Sequence, residues 1–246
     1  MTGTEEVEEK KDDTEVDQEK EKKDEECGAE EHKDKFNPSA YLDCFYKTAS
    51  EDTAMQIVLF FLPGILYRLP EKVNTVLDLG AGPTVYLPIA LRLRAQNIYT
   101  SDYAPANRET LISWCENRQT FFQVNVHESP VIQSVVWKEN PSIEVPQKFQ
   151  VVSTVFCLEY SCESLDAYFR AVRSACSLIE DGGFLIQGGV LGATTYNFGG
   201  KSFRCHCLKQ SHIVESLKAN GMATTTEQGY KFITHDDIFL LFSKKL

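Results

Sequence analysis

Three short runs hold the residues whose types and spacing suit chemistry: "VLDLGAGPTVY" at 76–86, "TSDYAPAN" at 100–107 and "STVFCLEY" at 153–160. Each runs out of a short apolar stretch that reads as a buried strand. Gly80 and Gly82 permit positive φ and let a ligand come close to the backbone. Asp102 follows about twenty residues later at the end of the next predicted strand, from which a carboxylate holds ribose hydroxyls in an open parallel sheet. Glu159 falls just past the fourth predicted strand, at the mouth of the same crevice. Taken alone, the glycines fit a tight turn with no ligand and Glu159 fits an exposed loop. Joined to Asp102, the glycine turn points to a nucleoside-type cofactor.

The choice between cofactors turns on phosphate. A dinucleotide turn needs a third glycine, G-x-G-x-x-G, with a helix N-terminus facing the pyrophosphate. Here Val85 stands three residues after Gly82, and Pro83 lacks the N–H that a pyrophosphate would take. A ligand with a ribose and no phosphate fits better, and S-adenosylmethionine is the commonest such cofactor on this architecture. An NAD-dependent oxidoreductase is the weakest alternative for the same reason.

The elements that must position these residues follow from periodicity. Apolar residues at Tyr41, Leu42, Phe45 and Tyr46, then at Met55, Val58, Leu59 and Leu62, recur at helical spacing and predict two leading helices. From Val73 the pattern becomes short apolar runs separated by helical stretches, the signature of a parallel α/β sheet. Strands are predicted over 73–79, 97–101, 120–126, 149–156, 184–189, 223–230 and 238–243, the last two paired as an antiparallel edge. Helices are predicted over 83–95, 105–117, 164–179 and 209–220, with Asp181-Gly182-Gly183 as the stop of the third. Residues 129–147 read as a loop. The fold class is therefore α/β: a Rossmann-like seven-stranded sheet, mostly parallel with an antiparallel C-terminal edge and helices on both faces.

The first 35 residues stand apart. They hold sixteen acidic and seven basic side chains, so nine of the chain's eleven net negative charges sit there. Such a segment buries too little apolar surface to offset its ordering entropy and is expected to be a disordered, solvated tail over 1–35, ahead of one domain over 36–246. The remaining body has no basic stripe, so nucleic acid is not an expected partner. The start has no apolar signal region, and "IVLFFLPGILY" at 57–67 is too short to span a bilayer. A cytosolic protein, expected as a monomer with no membrane partner, fits. Cys205-His206-Cys207 lacks the paired C-x-x-C spacing of a structural zinc site, which leaves reduced thiols and no metal as the expectation.

Six segments together carry a family resemblance: "FNPSAYLDCFY", "LDLGAGPTVY", "TSDYAPAN", "NVHESP", "STVFCLEY" and "DGGFLIQGG". The chain resembles, from Phe36 to Leu246, the class I methyltransferases comprising the nicotinamide, phenylethanolamine and indolethylamine N-methyltransferases. The resemblance implies S-adenosylmethionine as cofactor, with Tyr41 and Tyr46 in a lid and Gly80, Ala81 and Gly82 beneath the methionine half. It implies Thr84 and Tyr86 at the carboxylate end, Asp102 on the ribose, Tyr103 against the adenine and Asn107 near the amino-acid moiety. Val126 would meet the adenine through its backbone, and Val155 the methionine. As isolated residues the tyrosines fit a core equally well. Asn125 stands where the family usually has an aspartate that accepts from the adenine amino group. Between Trp114 and Val124 the family carries a longer segment than "CENRQTFFQ".

For the substrate, the resemblance places Glu159 at an amine, as catalytic and binding group. Gly189 stands where the nicotinamide enzyme has an aspartate, Ala193 where the phenylethanolamine enzyme has a second glutamate, and Tyr196 matches an aromatic over the substrate ring. The implied activity is transfer of a methyl group to the nitrogen of a small amine of the nicotinamide or arylalkylamine type, and the changes at Gly189 and Ala193 place nicotinamide behind a small aromatic or alkyl amine. The shortened segment and the changed pocket acids motivate the alternative, a non-catalytic cofactor-binding or regulatory protein on the same fold.

Overall fold

The computed structural model describes residues 24–46, 53–114, 120–138 and 145–246. In chain order the elements are β1 (Glu25–Cys27), α1 (His32–Lys35), α2 (Pro38–Tyr46), α3 (Thr53–Leu66), β2 (Val73–Leu79) and α4 (Tyr86–Leu91). Next come β3 (Ala95–Asp102), α5 (Pro105–Trp114), β4 (Thr120–Val124), β5 (Ile132–Lys138), β6 (Phe149–Val155) and α6 (Leu165–Ser177). The chain closes with β7 (Ile179–Val190), β8 (Thr195–Phe198), β9 (Lys201–Arg204), α7 (Gln210–Ala219), β10 (Tyr230–His235) and β11 (Ile238–Lys244).

Among the described residues the main sheet has eight strands in the order β10-β11-β7-β6-β2-β3-β4-β5. The pairs β7·β6, β6·β2, β2·β3 and β3·β4 are parallel, and β11 runs antiparallel to both of its neighbours. β2 leads outward to β3 and β4, whereas β6 returns to its other side, so the order reverses between β2 and β6. In an open α/β sheet this switch point leaves a crevice beyond the strand ends.

β2 feeds a core cluster on each face of the sheet. Leu77 and Leu79 join a cluster with α6 and α7 residues, including Tyr168, Val172 and Leu217. Val73 and Val76 join a second with Val58, Leu62 and Ile65 of α3 and Leu87 and Leu91 of α4. α6 buries Tyr168, Ala171, Val172, Ala175 and Cys176, one helical stripe. Its N-cap Ser164 accepts a hydrogen bond from the Ala167 N–H at 3.2 Å, a cap that contributes about 1 kcal/mol.

Several expectations are corrected. The sheet has eight strands rather than seven, because β5 lies inside the supposed 129–147 loop and pairs antiparallel with β4. Two register irregularities in that pair, and exposed Val135 and Val136 on this edge strand, obscure its alternation. The helix predicted over 83–95 is only α4, and β3 already begins at Ala95. Asp181–Gly183 does not stop a helix: it lies within β7, where Gly182 takes φ +75° and the register against β6 shifts. The penultimate strand begins at Tyr230 rather than at residue 223.

The boundary drawn at residue 35 is also too late. β1 pairs parallel with β9, Cys27 is fully buried and Ala29 nearly so. β1, β9 and β8 form a second, three-stranded sheet that sequence reading did not anticipate. Residues 1–23 of the tail expected over 1–35 lie outside the described residues, as do residues 115–117 of the helix predicted to end at 117.

Candidate active site

The crevice at the switch point is a cavity of about 450 Å³. Its floor is the turn after β2. Gly80 takes φ +72° and Gly82 φ +61°, values that disfavour any side chain. A Cβ on Gly80 would also lie 2.8 Å from the Cβ of Cys157, so the β2 and β6 turns meet only because position 80 is bare. The Gly80 and Ala81 N–H groups donate to the Ser101 carbonyl at 3.0 and 2.9 Å, which ties the turn to β3.

Asp102 organises the opposite side. Its Oδ2 accepts from the Gly82 N–H at 2.8 Å, and its Oδ1 from the Ala104 N–H at 2.8 Å and from Asn107 Nδ2 at 3.0 Å. Burial pushes the carboxyl above its usual range, while Asn107, Ala104 and Gly82 pull against that shift. Asn107 Oδ1 is buried with no hydrogen-bond partner among the described residues. That leaves a bare acceptor on a cavity-lining side chain, which suits a ligand ammonium group. Oδ2 of Asp102 keeps acceptor capacity for a hydroxyl. The residues present thus fit a ligand carrying both a ribose and an amino-acid moiety.

The structure brings most of the anticipated residues onto this one cavity. Tyr41 and Tyr46 of α2 line it, with Gly80, Ala81, Gly82, Thr84, Tyr86, Asp102, Tyr103 and Asn107. Asn125, Val126, Val155 and Tyr196 complete that set. Two of these side chains are already engaged locally. The Thr84 hydroxyl donates to the Ala81 carbonyl at 2.8 Å. Asn125 Oδ1 accepts from the His127 N–H at 3.0 Å and its Nδ2 donates to Glu128 at 2.8 Å, so Glu128 is the carboxylate on that wall.

Glu159, Gly189 and Ala193 are not among the lining residues. Glu159 is not an exposed loop residue either: it is 1% exposed and turned back onto β7, where Oε1 accepts from the Val190 N–H at 3.2 Å. Its Oε2 has no partner among the described residues, and burial pushes its carboxyl up to about 8. A Cβ on Gly189 would lie 2.6 Å from Glu159 Cδ, so the Glu159 carboxyl occupies the volume that a side chain at position 189 would need.

Sequence reading missed several cavity residues. Ala29, Glu30, His32 and Phe36 come from the segment around the first helices. Its charged composition hid them, although Cys27 and Ala29 are apolar enough to have marked the boundary. Phe156, Cys157, Tyr160 and Ser161 follow β6. Phe156 takes φ +54°, a strained conformation for an aromatic residue that costs of order 1–3 kcal/mol. Such strain concentrates at functional sites, and here it directs the chain across the cavity wall.

The model of the NNMT/PNMT/TEMT family matches residues 24–123 and 117–246. The chain belongs to this family. The two matches meet at the shortened connection after Trp114. Within the family, a nicotinamide N-methyltransferase of Caenorhabditis elegans is 72% identical over 91% of this chain and 94% of its own length. The human nicotinamide N-methyltransferase is 25% identical over 86% of the chain and 93% of its own. In overall fold the chain also resembles SAM-bound CalS10, an amino pentose methyltransferase from Micromonospora echinaspora. That likeness has a TM-score of 0.57 at 10% identity and covers 80% of this chain and 93% of CalS10. Among the described residues no helix is long and apolar enough to cross a membrane.

Proposed function

We propose that the chain methylates the ring nitrogen of nicotinamide or a closely similar flat heteroaromatic carboxamide, within the activity class of its family, S-adenosylmethionine-dependent N-methyl transfer. The observation that carries the substrate is the 72% identity to a nicotinamide N-methyltransferase over nearly the whole of both chains. When bound, S-adenosylmethionine supplies an electrophilic methyl group on a sulfonium.

What this chain's residues contribute is binding and alignment. Asp102 accepts ribose hydroxyls, and Asn107 Oδ1 accepts from the amino-acid ammonium. Tyr41, Tyr46, Tyr86 and Tyr103 enclose the cofactor, aromatic faces being favourable neighbours of a sulfonium. Tyr196 and Tyr160 line the cavity stacked on each other, centroids 4.0 Å apart, so a substrate ring lies against this pair and not between its members. A pyridine nitrogen has its lone pair free at neutral pH, so in-line displacement at near-attack distance needs no general base.

Glu159 fits this substrate better than it fits an alkylammonium. With its carboxyl raised to about 8 it is largely neutral at pH 7, and a neutral carboxyl both donates and accepts, as a primary carboxamide does. We read Glu159 as a buried, uncharged group that packs against β7 from outside the cavity lining, behind the Tyr160 turn, and Gly189 as the vacancy that admits its side chain. A monomer in the cytosol belongs to the same reading.

The test is a methyl-transfer assay over a panel of nicotinamide, tryptamine and phenylethanolamine, with product masses read directly. Nicotinamide is expected to give the largest kcat/KM. Methylation of the amines with nicotinamide left untouched would overturn the substrate assignment.

A further inference from the structure

His32 lies in the segment that sequence composition assigns to the tail, yet it lines the cavity beside Tyr196. Its ring stacks on Phe203 with centroids 4.4 Å apart and on Tyr196 at 5.5 Å. Both ring nitrogens are engaged. Nδ1 lies 2.6 Å from the Ala29 carbonyl, and Nε2 is hydrogen-bonded to the Tyr196 hydroxyl. A carbonyl only accepts, so Nδ1 carries the proton. In the neutral ring Nε2 therefore accepts, and the Tyr196 hydroxyl must donate to it. That commits the hydroxyl's hydrogen to His32 and leaves the oxygen of this cavity-lining side chain as an acceptor.

We propose that His32 is a positioning residue of the substrate pocket: it fixes the Tyr196 hydroxyl as a hydrogen-bond acceptor toward the substrate, matched to an N–H such as that of a primary carboxamide. This rests on the proposed function for the identity of the substrate. Protonation of His32 reverses the bond. Nε2–H then donates to the Tyr196 oxygen, and the hydroxyl hydrogen turns into the pocket against the substrate N–H.

Burial holds the His32 imidazole below the usual histidine range, with the Ala29 hydrogen bond and the Glu163 charge opposing it. Other charges around the pair are few. Glu163 accepts from the Ala29 N–H and pairs with Arg204 on β9, which also pairs with Glu26. On its own segment His32 has Glu30, Glu31, Lys33, Asp34 and Lys35 as neighbours, Glu31 being paired with Lys35. Tyr196 is faced by Tyr41, Tyr160, Cys205 and Asp102. None of these replaces His32 as the partner of the Tyr196 hydroxyl.

The test uses the full chain and two substitutions. His32→Leu removes the acceptor and should raise the substrate KM about tenfold, the loss of one hydrogen bond, with kcat within about twofold. His32→Gln supplies an uncharged acceptor. It should keep KM within about threefold of wild type at neutral pH and abolish the rise in KM that wild type shows as pH falls below the usual histidine range. In a Tyr196→Phe background neither substitution should change KM further. Retained S-adenosylhomocysteine binding in all of these variants separates a lost pocket contact from a lost cofactor site. An unchanged KM in His32→Leu, or an acid limb that persists in His32→Gln, overturns the inference. Imidazole ¹⁵N spectra of the wild-type protein test it without turnover: His32 should be neutral and protonated on Nδ1 at neutral pH. An Nε2–H tautomer or a charged ring there would refute it even if nicotinamide proves not to be the substrate.

Discussion

Glu159 and Gly189 occupy one volume between them, and substitutions at the two positions should behave as a pair. Gly189→Ala puts a methyl group against the Glu159 carboxyl and should cost about 1–3 kcal/mol of stability by overpacking. Denaturant unfolding should show most of that cost removed when Glu159→Ala is combined with it, a coupling expected of residues in contact. The same carboxyl makes stability depend on pH. Its folded-state value of about 8 lies above the ordinary value of 4.5, so the folded protein holds a proton that the unfolded chain releases. The stability this contributes is complete below the ordinary value and is lost as pH rises through about 8. Glu159→Gln is neutral throughout, so its melting temperature should gain on wild type as the buffer is raised from about pH 5 to about pH 9. Asp78, also pushed up to about 8 by burial and by Asp102, is common to both proteins and cancels in the difference. A difference that is flat with pH would contradict the buried, uncharged state of Glu159.

Among the elements, the least anticipated is the small sheet of β1, β9 and β8, which fastens the N-terminal segment over the cavity. Arg204 on β9 links Glu163 at 2.8 Å to Glu26 at 2.9 Å. These pairs are solvent-exposed, and exposed ion pairs add little to global stability. Arg204→Ala should therefore leave the melting temperature almost unchanged, while hydrogen exchange of the β1 amides becomes faster. A large fall in melting temperature would mean that β1 belongs to the cooperative core. The contrast with the main sheet explains what sequence could reveal. β2 is bounded correctly at Val73–Leu79 because its apolar residues Val73, Val76, Leu77 and Leu79 run directly into the Gly80 turn. β8, β9 and β1 span three or four residues each, too short for periodicity to register. They form through one another, Tyr196 opposite Phe203 and Cys27 opposite Phe203 across the ladders. The site was legible in the same uneven way. Gly80, Gly82 and Asp102 could be named from glycine and carboxylate spacing, and the other residues of the β2 and β3 turns from the family resemblance. His32, Glu30 and Tyr160 depend on distant elements meeting, and nothing local marks them.

At the scale of the whole molecule, the cavity lies where the strand order reverses, walled by the turns after β2, β3 and β6 and covered by α2 and the N-terminal segment. A ligand held by all of these binds only the folded state and should stabilise it as a unit. At a hundredfold excess over its Kd, S-adenosylhomocysteine should add about 2.7 kcal/mol to unfolding stability. NAD should shift the melting temperature little, because the β2 turn offers no third glycine and places Pro83 where a pyrophosphate needs an N–H. Equal stabilisation by both ligands would argue for a general nucleotide pocket. Everything proposed for the substrate side, from Glu159 to the His32–Tyr196 pair, depends on cofactor occupying the floor of this cavity through Asp102. Calorimetric titration of S-adenosylhomocysteine into the wild-type protein and into Asp102→Ala addresses that dependence directly. One-to-one binding by wild type, weakened at least about a hundredfold in a folded Asp102→Ala, is the predicted result, since a charge-assisted pair of hydrogen bonds is lost. Undiminished binding by Asp102→Ala, or none by a folded wild-type protein, would contradict it.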